Sequence, residues 1–184
     1  NVPPRIAAVG PNGLLATMPG YLADVGMAAK LVSVFAGSDP SHQGVIVVVD
    51  PETGTLRSIM DAEIITERRT AMTAAIAADV LARADASVLT IVGSGAQGHA
   101  HVAAFGALRS WDEIRVVSRS KNKATVLAAE ARFAFGPEVT ISEFDHFESA
   151  VSGAHVVALC THADDPVIQA DWVDDGTHVS SVGS

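Results

Sequence analysis

The spacing of apolar positions changes near residue 61. Before it, the apolar residues fall into short extended runs, Leu14 to Met18, Ala28 to Phe35 and Val45 to Val49. The last run is wholly β-branched, a composition that packs well on a pleated surface, and it predicts the firmest strand in the chain. Asp50-Pro51-Glu52-Thr53-Gly54 then predicts a turn, because Pro presets φ and Gly accepts a positive φ. Thr55 to Met60 returns as the second arm of a hairpin. Residues 1–60 therefore read as a small antiparallel or mixed sheet.

Beyond that point the pattern becomes helical. Ala62 to Ala84 is rich in Ala and Met, with no Pro or Gly. Asp61 is the expected N-cap, and Ile64, Ile65, Met72, Ile76, Val80 and Leu81 supply apolar faces. Arg83 sits near the end, where a cation suits the helix dipole. Strands and helices then alternate. Strands are expected at Val88 to Val92, Ile114 to Ser118, Glu138 to Phe144, His155 to Cys160 and Thr177 to Val182. Helices are expected at Gln97 to Leu108, Asn122 to Phe133 and, briefly, Phe147 to Val151, with a connector over Pro166 to Asp175. This alternation predicts a parallel sheet with right-handed crossovers. The fold class is α/β: a Rossmann-type doubly wound sheet in residues 87–184, a connecting helix in 61–86, and a smaller β-rich (α+β) domain in 1–60.

Composition narrows the partners. Apolar residues make up 48% of the 184 and charged residues 18%, an ordinary globular balance. The net charge of -9 tells against nucleic acid or an anionic membrane as the main partner. No apolar run approaches the roughly 18 residues needed to span a bilayer, and no basic segment followed by an apolar one opens the chain. The single Cys160 suits a reducing cytoplasm. The chain starts without Met and stops on a strand-to-loop turn, so it reads as a piece of something longer.

The candidate chemistry centres on Gly93-x-Gly95-x-x-Gly98, between an apolar strand and a helix. That order fits a dinucleotide-binding turn: Gly93 for the tight turn, Gly95 for approach to a pyrophosphate, Gly98 for helix–strand packing. The helix start adds unpaired N–H groups and positive dipole. At the tip of the second parallel strand an NAD-type site wants an acidic residue for the ribose hydroxyls. Ser118-Arg119-Ser120 stands there instead, with Lys121 and Lys123 behind, while Asp112 and Glu113 precede the strand. Arg119 between hydroxyls suits a 2′-phosphate, which a guanidinium binds bidentately, so NADP(H) is favoured and NAD(H) possible; the alternative is a solvated basic loop.

Thr161-His162 and Val182-Gly183-Ser184 end further strands, where ligands of open α/β sheets collect. His162 is either an acid/base or a solvated loop residue. His99 and His101 fall far apart around a helix and are not expected to share a metal. Lys30 lies inside an apolar strand, where an ammonium needs a partner or a cleft. Arg68 and Arg69 are expected to open the Ala-rich helix against its dipole, compensated by Glu67 or by something anionic. Lys30 and Arg69 could together clamp a carboxylate.

These residues form an ordered set. Lys30, Gly44-Val45-Ile46, Asp50-Pro51-Glu52-Thr53-Gly54, Ile65-Thr66-x-x-Arg69-Thr70-Ala71, Val92-Gly93-Ser94-Gly95-Ala96-Gln97 and His178-Val179-x-x-Val182-Gly183-Ser184 together resemble the ornithine cyclodeaminase/mu-crystallin family across nearly the whole chain. Pro3-Pro4-Arg5 and Met18-Pro19 fit as well. The resemblance implies a homodimer whose subunit joins a Rossmann domain to a second domain built from both chain ends, here only partly present. It implies NAD(P)-dependent chemistry on a small amino acid or imine. The positions matching substrate-carboxylate binders are Arg5, Lys30 and Arg69. Gly93, Gly95, Ala96 and Gln97 match the pyrophosphate turn, Ser118, Arg119 and Ser120 the ribose end, and Thr161, Val182 and Gly183 the nicotinamide end, with Thr70 beside the cofactor. The family's catalytic Asp is expected beyond Ser184, so this stretch is expected to bind cofactor without turnover. Cyclodeaminase, ketimine or pyrroline-carboxylate reductase and amino-acid dehydrogenase stay open. So does an NADPH-dependent carrier of a small ligand that catalyses nothing, since a fold does not guarantee catalysis.

Overall fold

In the computed structural model, which describes residues 1–35, 37–38, 42–163 and 165–183, the chain divides into two units, Asn1–Thr66 and Glu67–Ser184. The first holds five strands, β1 (Ile6–Gly10), β2 (Gly13–Leu22), β3 (Gly26–Val34), β4 (His42–Val49) and β5 (Leu56–Asp61). They form an antiparallel meander in chain order. The expected runs lie within β2 to β5, apart from the loop residues Phe35 and Thr55 at their ends. β1 escapes the pattern because its side chains are all exposed, so no alternation marks it; pairing with β2 makes it a strand. β2 runs on through Pro19 to Leu22, past the β1 ladder, which ends at Ile6 and Thr17. The missing N–H of Pro19 therefore costs no ladder bond there.

The turn at 50–54 forms as expected. The Asp50 carboxylate accepts from the amides of Glu52 (3.0 Å) and Thr53 (2.8 Å) and from the Thr53 hydroxyl (3.0 Å). It also pairs with Arg57. These partners, Arg57 foremost, hold its carboxyl well below the usual carboxylate range. Gly54 takes a φ of +70° to close the turn.

Helix α1 (Glu63–Leu81) differs from expectation in four ways. Ala62 takes the N-cap position, and Asp61 caps from one residue earlier, accepting the Glu63 amide at 2.7 Å. Arg68 and Arg69 consequently fall in the second turn, where the dipole has weakened, not in the first. The buried stripe is Ala71, Ala74, Ala75 and Ala78, while Ile64, Ile65, Met72, Ile76, Val80 and Leu81 are exposed. Both sets recur at helical spacing, and the small side chains lie on the packed face. Arg83 lies beyond the helix and pairs with Asp85 at 2.5 and 2.6 Å.

The second unit is a five-stranded parallel sheet of β6 (Val88–Val92), β7 (Glu113–Val117), β8 (Thr140–Phe144), β9 (Val156–Leu159) and β10 (His178–Ser181). Its order is β10-β9-β6-β7-β8. Between strands run α2 (Ala96–Leu108), α3 (Lys121–Phe135) and α4 (Phe147–Val151), with a single 3₁₀ turn at Ala170–Trp172 inside the expected connector. Alternate residues serve two cores. Leu89, Ile91, Ile114, Val116, Val156 and Ala158 pack with α1, α2 and α3. Val92, Val117 and Val157 pack with Ala150 and Val151 of α4. Burial on both faces explains why the central strands β6 and β9 are apolar but for Thr90, whose buried hydroxyl donates to the Ala150 carbonyl at 2.7 Å. The order also creates a switch point: the chain leaves β6 toward β7 and β8, then returns to β9 on the other side. The carboxyl ends of β6 and β9 thus flank a crevice where open α/β sheets bind ligands.

Candidate functional site

At the end of β6 the three glycines of the turn do different work. Gly93 has a φ of +111°, and a Cβ there would stand 2.8 Å from the Cys160 carbonyl oxygen. Its amide donates to the Val117 carbonyl at 2.8 Å, which ties the turn to β7. Gly98 packs as closely: an added Cβ would lie 2.3 Å from the Gly93 oxygen. Gly95 is the N-cap of α2, at φ −88°, and an added Cβ would meet nothing within 4 Å. Among the described residues, no side chain caps this helix. Its first-turn N–H groups, Ala96 and Gln97 among them, have no intrahelical acceptor, so the geometry offers backbone donors and open space for an anion. Gln97 adds a buried Oε1 with no partner among the described residues.

The neighbouring strand ends close over this turn. A Cβ at Gly183 would stand 2.0 Å from the Thr161 carbonyl, so only glycine fits. The Val182 amide donates to the Leu159 carbonyl at 3.1 Å. Thr161 and Val182 are half-buried, His162 is exposed, and Ser184 lies outside the described residues. Cys160 is packed beneath Gly93, and burial pushes its thiol up to about 12, so it stays protonated.

Ser118 follows β7 directly. The hydroxyl of Ser94 donates to the Ser118 hydroxyl at 2.8 Å, and the Ser120 amide approaches the same oxygen at 3.4 Å. Arg119 is exposed. Lys121 is committed elsewhere, bonding Asp145 at 2.9 Å, while the first turn of α3 carries no acidic residue. Glu113, at the opposite end of β7, accepts from Arg115 (3.0 Å) and from Ser142 (2.7 Å). Ser94 was not among the expected site residues. As a spacer in the glycine pattern it carries no signal of its own.

In the first unit, Lys30 is half-buried on the sheet face that also carries Ala16 and Val32, and its Nζ donates to the Thr66 hydroxyl at 2.9 Å. Arg5 is exposed ahead of β1. On α1, Arg69 is exposed and Thr70 half-buried; spacings of three and four put them on the helix face of Thr66. His99 pairs with Glu130 at 2.6 Å, whereas His101 is buried, its Nδ1 bonded to the Gln97 carbonyl at 2.7 Å. The two rings have separate partners.

Comparison with known proteins bears on this arrangement. The profile of the ornithine cyclodeaminase/mu-crystallin family matches residues 1–184. The ketimine reductase mu-crystallin of Mus musculus is 33% identical over 178 residues, covering 94% of this chain and 55% of its own length. The Δ1-pyrroline-2-carboxylate reductase of Thermococcus litoralis, solved with NADH and L-proline, superposes with a TM-score of 0.90 at 28% identity, covering 99% of this chain and 58% of that one. An archaeal alanine dehydrogenase dimer with bound NAD gives a TM-score of 0.88 at 27% identity, with 97% and 55% covered. The chain thus spans a little over half the length of these relatives.

Proposed function

The chain belongs to the ornithine cyclodeaminase/mu-crystallin family, and on that premise we propose that it is part of a cytoplasmic NAD(P)-dependent oxidoreductase or deaminase acting on a small amino acid or cyclic imine. The observation that carries the reading is Gly95, an uncapped helix start with open space where a Cβ would go, between two glycines packed tight. The donor set fits a pyrophosphate. The amides of Ala96 and Gln97, with Gly93 and Gly95 keeping side chains away, would hold it. Ser118, Arg119 and Ser120 would take the ribose end, with NADP(H) favoured because Arg119 offers a guanidinium where no carboxylate stands. Thr161, Val182 and Gly183 would line the nicotinamide end, and Thr70 would lie beside the cofactor.

When bound, the nicotinamide supplies or accepts hydride at the substrate Cα. This chain's residues hold and orient the acid: Lys30 and Arg69, with Arg5, would bind its carboxylate. Thr66 supports that role by fixing the Lys30 ammonium. Orientation of this kind contributes much of the rate in hydride transfer. The NADH and L-proline of the Thermococcus structure and the reductase activities that relatives are named for support this substrate class. We further propose a homodimer, supported by the archaeal dimer and by an exposed apolar face on the antiparallel sheet.

The test is a nucleotide titration of the full-length protein, followed by a near-ultraviolet absorbance screen. The screen pairs NADH or NADPH with pyrroline-2-carboxylate, piperideine-2-carboxylate, or pyruvate plus ammonia; ornithine is scored by proline or ammonia formation. Nucleotide binding with turnover of one of these is expected, and Lys30→Ala is expected to raise KM for the acid at least tenfold. Binding without turnover of any would favour the carrier reading. Failure to bind either nucleotide would overturn both. Arg119→Asp is expected to weaken NADPH about 10- to 100-fold more than NADH, the range of a lost charge-assisted bond; equal losses would remove the 2′-phosphate assignment.

A further inference from the structure

Ser94 is 6% exposed, and its Oγ has Ser118 Oγ, at 2.8 Å, as its partner among the described residues. A buried hydroxyl with one partner is best satisfied by donating to it, because an unpaired buried proton is costly. The Ser120 amide has only hydrogen to offer the same Ser118 oxygen, at 3.4 Å. A hydroxyl has two lone pairs and one proton. With one lone pair facing Ser94 and the other facing Ser120 N–H, the proton of Ser118 is left to point away from both, at the tip of β7 beside exposed Arg119.

We propose that Ser94 is a positioning residue for cofactor choice: it fixes Ser118 as a hydrogen-bond donor, which favours an acceptor-only group such as a 2′-phosphate over a ribose hydroxyl. This rests on the dinucleotide reading above. The ionised phosphate accepts from a hydroxyl more strongly than a neutral hydroxyl does. Ser94 thus connects the glycine turn to the ribose-end loop without touching the nucleotide itself. The spacer of the turn becomes a determinant of preference.

The experiment measures equilibrium dissociation constants of NADPH and NADH, by nucleotide fluorescence, for full-length wild-type, Ser94→Ala, Ser118→Ala and double-variant proteins. Ser94→Ala is expected to lower the preference for NADPH over NADH by about 3- to 10-fold, the worth of one ordinary hydrogen bond. Ser118→Ala is expected to do the same, and the double variant no more than either, because the two hydroxyls act as one unit. An unchanged preference in Ser94→Ala, or losses that multiply in the double variant, would overturn the relay. If Arg119→Asp weakens NADPH more than NADH while Ser94→Ala leaves the preference unchanged, the relay alone fails. If the wild type binds neither nucleotide, the parent reading fails with it. Ser94→Cys, whose thiol is a weak donor, reads the same bond should Ser94→Ala fold poorly: a lowered preference is expected, and an unchanged one overturns the relay.

Discussion

His101 shows how one side chain can couple this fold to pH. Its ring is fully buried on α2, stacked on Phe105 at a centroid distance of 5.9 Å. Nδ1 is spent on the Gln97 carbonyl, and Nε2 has no partner among the described residues. Burial lowers its pKa from the ordinary 6.5, and His178 shifts the same way for the same reason. A base with a depressed folded pKa is protonated first in the unfolded chain, so acid favours unfolding. Stability is therefore expected to fall as pH drops below about 6.5 and to level off below the folded pKa. His101→Phe is expected to flatten this acid limb, read as denaturation midpoints against pH, leaving the part due to His178. An unchanged limb would mean that burial does not depress the His101 pKa. The sequence shows His101 on a helix away from His99, but its burial comes from packing between α2 and the sheet.

At the scale of elements, the glycine turn makes a paired prediction. Gly98→Ala adds a methyl 2.3 Å from the Gly93 oxygen. Overpacking against backbone costs about 1–3 kcal/mol, which outweighs the roughly 1 kcal/mol that Ala gains as a helix former. Gly95→Ala meets nothing and has an ordinary φ, so stability is expected to stay within about 0.5 kcal/mol. Nucleotide binding is expected to weaken at least tenfold, because the methyl enters the space left for the pyrophosphate. Thermal unfolding and titration of both variants check this; a Gly95→Ala protein that binds normally would sink the cradle. Local spacing showed the turn, β6 and α2. The roles it predicted, Gly93 for the turn, Gly95 for the open approach and Gly98 for packing, agree with the contacts; it did not show that Cys160 and Leu127, far along the chain, are among the groups that pack there. On α1 the sequence pointed to Ile64, Ile65, Met72, Ile76, Val80 and Leu81 as the apolar faces, and packing buried Ala71, Ala74, Ala75 and Ala78 instead.

For the whole molecule, the registers put Ile6, Leu15, Leu31, Val45 and Ile59 on one face of the antiparallel sheet, opposite the Lys30 face. All five are exposed, and Ile6, Leu15 and Ile59 are more than half exposed. Exposed apolar residues gathered on one face, here with Thr17, Ser33 and Asp61 among them, mark an interface more often than residues scattered singly. In the full-length protein, Leu31→Glu combined with Val45→Glu is expected to convert a dimer to monomer by light scattering, with far-ultraviolet circular dichroism unchanged. A dimer that survives both charges would place the interface elsewhere. Among the described residues, no helix is long and apolar enough to cross a membrane.

The sequence by itself determined the parallel sheet, since strands alternating with helices at this spacing are joined by crossovers, and it located the glycine turn, since a positive φ at Gly93 and close packing at Gly98 leave no room for a side chain. It also marked a loop with no carboxylate after β7. Tertiary structure decided the rest: that β1 pairs at all, that α1 turns its alanines inward, and that Ser94 reaches Ser118. Each of these depends on contacts between residues distant in the chain, and local spacing carries no record of which distant neighbour will arrive.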